Sequence, residues 1–361
     1  MPERHAVVVG GSLSGLSTGL ALARAGWRVT ILERAAGEPP GGAGLGLERD
    51  LLARVTGVDA SRIPVVSGNR ASAAWGLVRE FLLEQAVRVP GVDVQAPALV
   101  TGVRSGAAGG RAIVESAVGL FDADLVAGAD GVSSVTRRFV APGAPAAAFA
   151  GYLLWRGLVP EAEVPGGLHG HGRDLEVYSA PGYQLVIYGV PGPDGRTGPG
   201  QRRVSYAWYD TGRAALLHDS GCVRDGAVVG TLYAGQLPAS LTTELAALAR
   251  RWWPEPWAEC IAWGVTHGEV FGTPVAEYLP VRLTRDQVAL VGDAAHVATP
   301  MTGAGFHNAL LDVAALAEAL AGEGEIDVPA ALRQYEAQRL PQARRLVQSG
   351  MAWSRSFVSS A

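Results

Sequence analysis

Residues 5–34, HAVVVGGSLSGLSTGLALARAGWRVTILER, constrain the fold more than any other stretch. Residues 6–9 form an apolar run of strand length, and their β-branched side chains favour a buried strand. Gly10, Gly11, Ser12, Leu13, Ser14 and Gly15 follow as a tight turn. Residues 16–24 repeat apolar side chains at helical spacing, and Gly26 ends that helix. Residues 29–32 return as a second strand with Glu33 at its end. Strand, turn, helix and strand in so short a span predict a βαβ unit. Gly10 makes the turn, and Gly15 lets helix and strand pack closely. Glu33 stands where a carboxylate accepts the hydrogen bonds of an adenosine ribose. Ser12 replaces the second glycine of G-x-G-x-x-G, but it is small enough for a pyrophosphate to approach and its hydroxyl can donate a hydrogen bond. The unit therefore predicts dinucleotide binding.

A second stretch, residues 288–320, has the same grammar: VALVGDAAHVATPMTGAGFHNALLDVAALAEAL. Residues 288–291 predict a buried strand, which Gly292-Asp293 breaks with a carboxylate at its end. Pro300 leads into Gly303-Ala304-Gly305, and residues 306–320 have helical spacing. The small residues permit close backbone approach. The helix start presents unpaired N–H groups and partial positive charge, which favour an anion or a ring that becomes anionic. Alone, the stretch equally fits an ordinary strand–turn–helix crossover; the N-terminal unit tips the balance. A third motif, LVAGADGVSSVTR at 125–137, ends a strand at Gly128 and turns at Asp130-Gly131. It then starts a helix that Ser133 or Ser134 caps.

Composition narrows the function classes. Of 361 residues, 48% are apolar and 18% charged, enough for a sizeable core. A net charge of −4 with no basic block argues against nucleic acid as a primary partner. No apolar run is long enough to span a membrane. Cys222 and Cys260 have no metal-ligand spacing and form no disulfide framework. With no signal-peptide layout at the N-terminus, this predicts a cytoplasmic protein with reduced thiols. All 30 cationic residues are Arg, which excludes any mechanism that needs a catalytic lysine.

Residues 49–56 and 75–89 read as helices, the latter amphipathic and carrying Arg79, and residues 121–126 read as one strand. From about residue 147, Tyr and Trp become frequent. Residues 151–159, 175–179, 184–190 and 203–209 read as strands of a mostly antiparallel sheet. Residues 241–253 predict a helix and residues 265–273 a further strand. The fold class is therefore α/β. A nucleotide-binding domain of residues 1–146 and 274–327 is interrupted by a sheet domain of residues 147–273. Residues 328–361 close the chain as a helical segment.

Three motifs recur here in a fixed order: GGSLSG with Glu33, GADG at 128–131, and GDAAH at 292–296. Together they resemble the class A flavoprotein monooxygenases, the single-component FAD-dependent aromatic hydroxylases. The GGSLSG turn, the GGAG of residues 41–44, and Tyr152 with Trp155-Arg156-Gly157 look most like the 2,6-dihydroxypyridine hydroxylase branch. The resemblance implies a Rossmann-like FAD-binding domain of the glutathione-reductase type, an inserted antiparallel-sheet substrate domain and a C-terminal helix. It implies FAD as cofactor, NADPH or NADH as electron donor, and O2. The implied substrate is an aromatic or polycyclic small molecule, oxygenated through a flavin C4a-hydroperoxide. By the same resemblance Gly10, Ser12, Leu13, Ser14, Gly15 and Glu33 hold the ADP half of FAD, with Arg34 beside the adenosine. Arg79 contacts the FAD chain, and Val103 meets the adenine edge through its backbone. Asp130 belongs to a motif that serves both FAD and NAD(P)H. Asp293 binds the ribityl or pyrophosphate region, and Gly303, Ala304 and Gly305 lie beside the isoalloxazine. The chain departs from many relatives at Ala304 (Gln there), His307 (Asn there) and Pro40-Gly41 (an Arg just before the glycine-rich loop).

Substrate contacts are expected from the inserted sheet. Strand alternation puts Tyr152, Leu154 and Arg156 on one face, with Leu153 and Trp155 on the other. Gln184, Val186 and Tyr188 share a face, as do Tyr206 and Trp208. Arg156, Tyr188, Tyr206 and Pro300 are the substrate candidates, although each aromatic suits core packing better than substrate contact. His307 is the candidate catalytic base; His296 reads as structural, and His169 and His171 as loop residues. A flavin halogenase is excluded by the missing lysine. A flavin dehydrogenase without oxygen insertion and a non-catalytic flavin-binding protein stay open.

Overall fold

The computed structural model describes residues 4–37, 43–106, 110–168, 170–322 and 324–360. Its first sheet has six strands in the order Thr284–Arg285, Val288–Leu290, Leu125–Gly128, His5–Val9, Arg28–Leu32 and Val92–Gln95. All neighbours are parallel except the first pair. Ala6, Val7, Val8, Val126 and Leu290 are wholly buried, as parallel strands covered on both faces must be. The helix Leu13–Arg24 packs on this sheet and against the helices Trp75–Arg88 and Gly305–Ala319. The three motif turns therefore leave the same, C-terminal edge of the sheet, where open α/β sheets bind ligands.

The second sheet is antiparallel. Its main strands run in the order Glu176–Ala180, Tyr183–Val190, Arg203–Asp210, Ala148–Pro160, and Phe271–Glu277 pairs along the outer edge of the last. One face carries Leu153, Trp155, Leu185, Ile187, Tyr206 and Trp208, in one core with residues of the helices Ala239–Trp252 and Trp257–Thr266. The other face carries Tyr152, Leu154 and Tyr209, which pack with Met301, Trp353 and Phe357. That second face is turned toward the Gly303 loop.

Three expected elements differ. The helix Trp257–Thr266 precedes the strand Phe271–Glu277, where the sequence predicts a strand at 265–273. Seven of that helix's residues are buried, so it is apolar nearly all round and shows no helical stripe. The strand expected at 121–126 is two, Gly119–Ala123 in a three-stranded hairpin sheet and Leu125–Gly128 in the parallel sheet. The last strand of the antiparallel sheet, Phe271–Glu277, runs past the expected boundary at 273. The closing segment is one long helix, Val328–Ser359, whose Asp327 accepts a hydrogen bond from the Ala330 N–H at 3.0 Å. Its Leu332 and Tyr335 join the core of the parallel sheet, while Trp353 and Phe357 reach the antiparallel one. Among the described residues no helix is long and apolar enough to cross a membrane.

Candidate active site

The first turn is built from close backbone contact. Gly10 has φ +105°, and a Cβ there would meet the Ala129 carbonyl oxygen at 2.5 Å. A Cβ on Gly15 would lie 1.8 Å from the Gly10 carbonyl oxygen. Ser12 takes extended backbone dihedrals at the start of Leu13–Arg24, and its side chain makes no cap hydrogen bond. The N–H groups of that first turn therefore have no side-chain cap, as an anion-binding helix start requires. Leu13 contributes only backbone, because its side chain is buried. Glu33 lies alongside: its carboxylate accepts hydrogen bonds from the Gly11 N–H at 2.6 Å and the Ala35 N–H at 2.8 Å. Arg34 beside it is exposed.

The Gly292 turn abuts the first one, since a Cβ on Gly292 would lie 2.5 Å from Ser14 Oγ. Asp293 is exposed, yet desolvation outweighs the opposing charges of His296 and Arg137 and raises its carboxyl pKa. A carboxylate on the floor of a cleft, open on one side and enclosed on the rest, accounts for both. Gly303 takes the left-handed conformation at φ +57°, and the helix Gly305–Ala319 starts without a side-chain cap. A Cβ on Gly305 would meet nothing within 4 Å, so this loop faces open space.

A buried ionic cluster holds these turns in place. Asp312, fully buried, accepts from the Gly292 N–H at 3.0 Å, His296 Nε2 at 2.7 Å and Arg339 Nε at 2.8 Å. Burial opposes the charged forms of both His296 and Asp312, but their mutual charge and hydrogen bond outweigh it. The His296 pKa is raised and the Asp312 pKa lowered. Arg137 pins the third motif to the second, donating from Nη1 to the carbonyls of Asp293 and Ala294, both at 3.1 Å. Neither Arg137 nor Arg339 stands out in sequence, because their partners are far along the chain.

The other expected site residues have varied surroundings. The Asp130 carboxylate is committed to the helix Val135–Val140, accepting from the N–H groups of Val135 at 2.7 Å and Thr136 at 3.0 Å and from the hydroxyls of Ser134 and Thr136. Ser134, not Ser133, caps that helix through the Arg137 N–H at 2.8 Å. Tyr206 stands on the sheet face away from the cleft, 1% exposed, and donates to the Glu269 carbonyl at 3.1 Å. His307 Nδ1 lies 2.8 Å from Glu48 Oε1, poorly aligned for a hydrogen bond, in a contact between two helix starts. Arg79 is half-buried on Trp75–Arg88 with no hydrogen bond or ion pair to another described residue. Val103 sits in the three-stranded hairpin sheet. Pro300 opens the short turn before Gly303 and is exposed. His171 is an exposed loop residue 3.2 Å from Glu176. His169, Pro40 and Gly41 lie outside the described residues.

Arg156 and Tyr188 do face the cleft, with Leu154, Val186, Ser205 and Thr273 on the same sheet face. Arg70, unremarked in sequence, crosses the cleft mouth. Its guanidinium lies over Gly46, where a Cβ would sit 2.1 Å from Nε, and its Nη2 donates to the Gly303 carbonyl at 2.7 Å.

The parallel sheet with three motif turns at one edge, and an antiparallel sheet facing them, define an α/β protein of the dinucleotide-binding type. Two family models match the chain, described as "FAD binding domain-like" over residues 149–261 and "FAD binding domain" over residues 265–350. A 3-amino-4-hydroxybenzoate 2-monooxygenase of Streptomyces cremeus is 30% identical over 248 residues, 63% of this chain and 50% of that protein. An aurachin C monooxygenase/isomerase of Stigmatella aurantiaca is 28% identical over 369 residues, 94% of this chain and 86% of that protein. The structure of 2,6-dihydroxypyridine-3-hydroxylase from Arthrobacter nicotinovorans matches with a TM-score of 0.81 at 21% identity, over 98% of this chain and 92% of that one. The chain thus spans about half the length of the Streptomyces relative and most of the other two. The chain is thus similar in sequence to FAD-binding domains and to monooxygenases, and in fold to a hydroxylase.

The residues present fit that cofactor. The uncapped helix start, the glycine contacts at Gly10 and Gly15, the exposed Asp293 and the open side of Gly305 together form a cradle, with the Arg70 side chain at its mouth.

Proposed function

We propose that this protein is an FAD-dependent monooxygenase that uses NAD(P)H and O2 to insert one oxygen atom into an aromatic or polycyclic small molecule. The observation that carries the reading is the meeting of two surfaces: the Gly303–Gly305 turn and the face of the antiparallel sheet that bears Arg156 and Tyr188. When bound, FAD supplies the redox chemistry, carrying two electrons from NAD(P)H to O2, one atom of which enters the substrate while the other leaves as water.

The chain's own residues bind, orient and exclude water. The uncapped N–H groups after Ser12 take the pyrophosphate, and Gly10 and Gly15 keep that approach free of side chains. Glu33 accepts from the ribose, with Arg34 beside the adenosine. Arg79 takes a place along the cofactor, and Val103 meets the adenine edge through its backbone. Asp293 takes the polar chain next to the ring, and Gly303, Ala304 and Gly305 line the ring itself. The helix start at Gly305 favours negative charge there by roughly 0.3–2 kcal/mol. Asp130 acts indirectly, by holding its helix. His307, engaged with Glu48, serves as a positioning residue.

The test is turnover under isotopically heavy O2, with FAD, NADPH or NADH, and a panel of phenols, hydroxypyridines and polyketides. The expected product gains one heavy oxygen per NAD(P)H consumed. Oxidation of NAD(P)H that leaves every candidate substrate unlabelled would refute oxygen insertion and favour a flavin dehydrogenase.

A further inference from the structure

Side chains from four separate elements form one hydrogen-bonded chain that ends at the turn before Gly303. Thr299 caps the short turn Pro300–Thr302, its Oγ1 accepting from the Met301 N–H at 3.5 Å. That Oγ1 lies 2.7 Å from the Tyr152 hydroxyl, which in turn lies 2.9 Å from Ser354 Oγ. Ser354 Oγ donates to Glu277 Oε1 at 2.7 Å. Thr299, Tyr152 and Ser354 are buried, and Glu277 is half-buried at the end of Phe271–Glu277. The chain therefore joins the turn to two strands of the antiparallel sheet and to the long helix Val328–Ser359.

The chemistry of the groups fixes the direction of each bond. A carboxylate only accepts, and a hydroxyl has one proton to donate. Ser354 gives its proton to Glu277, so it accepts from Tyr152. Tyr152 then accepts from Thr299, and Thr299 keeps a lone pair for the Met301 N–H. This arrangement satisfies every member, and hydrogen bonds aligned head to tail strengthen one another.

The chain is more than local satisfaction of buried hydroxyls. A serine inside a helix can bond back to a carbonyl of its own helix. Ser354 turns to Glu277 instead. The Tyr152 ring is held among Trp353, Phe357 and Tyr209, with ring centres 5.9, 5.3 and 6.0 Å away, which aims its hydroxyl between Thr299 and Ser354. The helix comes close to the turn at Gly350, where a Cβ would lie 3.1 Å from Thr299 Cγ2.

We propose that Glu277, Ser354, Tyr152 and Thr299 act as one unit that sets the position of the Gly303–Gly305 turn against the flavin ring, with Glu277 as the far anchor. This rests on the function proposed above and adds positioning residues to its cofactor site. None of the four is required to touch the ring.

The test is FAD affinity, together with the visible absorption band of bound FAD, in Tyr152→Phe, Ser354→Ala and their double variant. Loss of one buried hydrogen bond predicts FAD binding weakened about 2- to 10-fold in each single variant, with the same change of band shape in both. Both substitutions cut one chain, so the double variant should bind FAD within about two-fold of the weaker-binding single variant. Glu277→Leu should match Ser354→Ala, and Glu277→Gln, which still offers an acceptor, should restore part of the loss. Should Tyr152→Phe fail to fold, Ser354→Ala with Glu277→Leu forms the same cycle. Leu332→Ala, a cavity near the other end of the same helix, should lower stability and leave the band unchanged. Single variants that bind FAD as wild type does overturn the proposal, as do effects that multiply in the double variant. A band change in Leu332→Ala equal to that in Ser354→Ala also overturns it, by reducing the chain to general stability. A wild type that takes up no FAD removes this proposal and the function proposed above together. Normal FAD uptake with uncoupled variants removes this proposal alone.

Discussion

Replacing Asp312 by asparagine should be among the most damaging isosteric changes available to this fold. Asp312 is fully buried and accepts three hydrogen bonds, from the Gly292 N–H and from the side chains of His296 and Arg339. Asparagine keeps the shape and can still accept from Gly292, but it leaves Arg339 and His296 without a counter-charge. Breaking a buried pair in this way costs about 3–5 kcal/mol, a large part of the roughly 5–15 kcal/mol typical of a folded domain. The loss should have a pH signature. The His296 pKa is raised above its ordinary 6.5 in the fold. Its contribution is therefore complete below about pH 6.5 and disappears as the pH rises through the folded value, while the Arg339 share persists. Urea unfolding of wild type and Asp312→Asn at pH 6 and pH 9, followed by tryptophan fluorescence, reads both effects. The stability difference should exceed about 3 kcal/mol at pH 6 and shrink at pH 9. A difference below about 1 kcal/mol at pH 6, or one that grows with pH, refutes the ion cluster as the anchor of the Gly292 turn.

Other substitutions test other parts of the account. Gly15→Ala places a methyl against the Gly10 carbonyl and should cost about 1–3 kcal/mol or more, with FAD binding weakened in step; unchanged melting and binding would show that the turn is looser than described. Ser12→Gly should shift stability by no more than about 0.5 kcal/mol, because the side chain caps nothing. At the buried Arg202–Glu161 pair, burial opposes the carboxylate but hydrogen bonds and charge from Arg202 outweigh it, so the Glu161 pKa lies below its ordinary value. Its contribution is present above about pH 4.5 and is lost as the pH falls through the folded value. The stability gap between wild type and Glu161→Gln should therefore close on acidification, which urea titrations at pH 7 and pH 4 will show.

Much of the framework is written in local pattern. The first βαβ unit, the strand that ends at Gly292 and the helix after Gly303 are legible because turn glycines and apolar periodicity fall where backbone geometry needs them. Strand alternation correctly groups Tyr152, Leu154 and Arg156, and equally Tyr206 with Trp208. It cannot say which group faces the cleft, because that depends on which face the helices Ala239–Trp252 and Trp257–Thr266 cover. The latter helix escapes notice because it is buried all round. Asp130 reads as a ligand-facing carboxylate until the start of the next helix is seen to fill both its oxygens. Arg70, Arg137 and Arg339 escape for another reason: their bonds go to Gly303, Asp293 and Asp312, remote in sequence, and two of those bonds go to carbonyls, which leave no residue-type signature.

The most direct test of the central claim is an equilibrium titration of flavin-stripped protein with FAD, followed by flavin fluorescence and absorbance, for wild type and Asp293→Ala. The account predicts saturation near one FAD per chain, with affinity reduced roughly ten-fold or more in the variant, as the loss of one polar contact at the cleft floor requires. A titration with no saturation, or one in which Asp293→Ala binds as tightly as wild type, would contradict the cofactor site on which the rest is built.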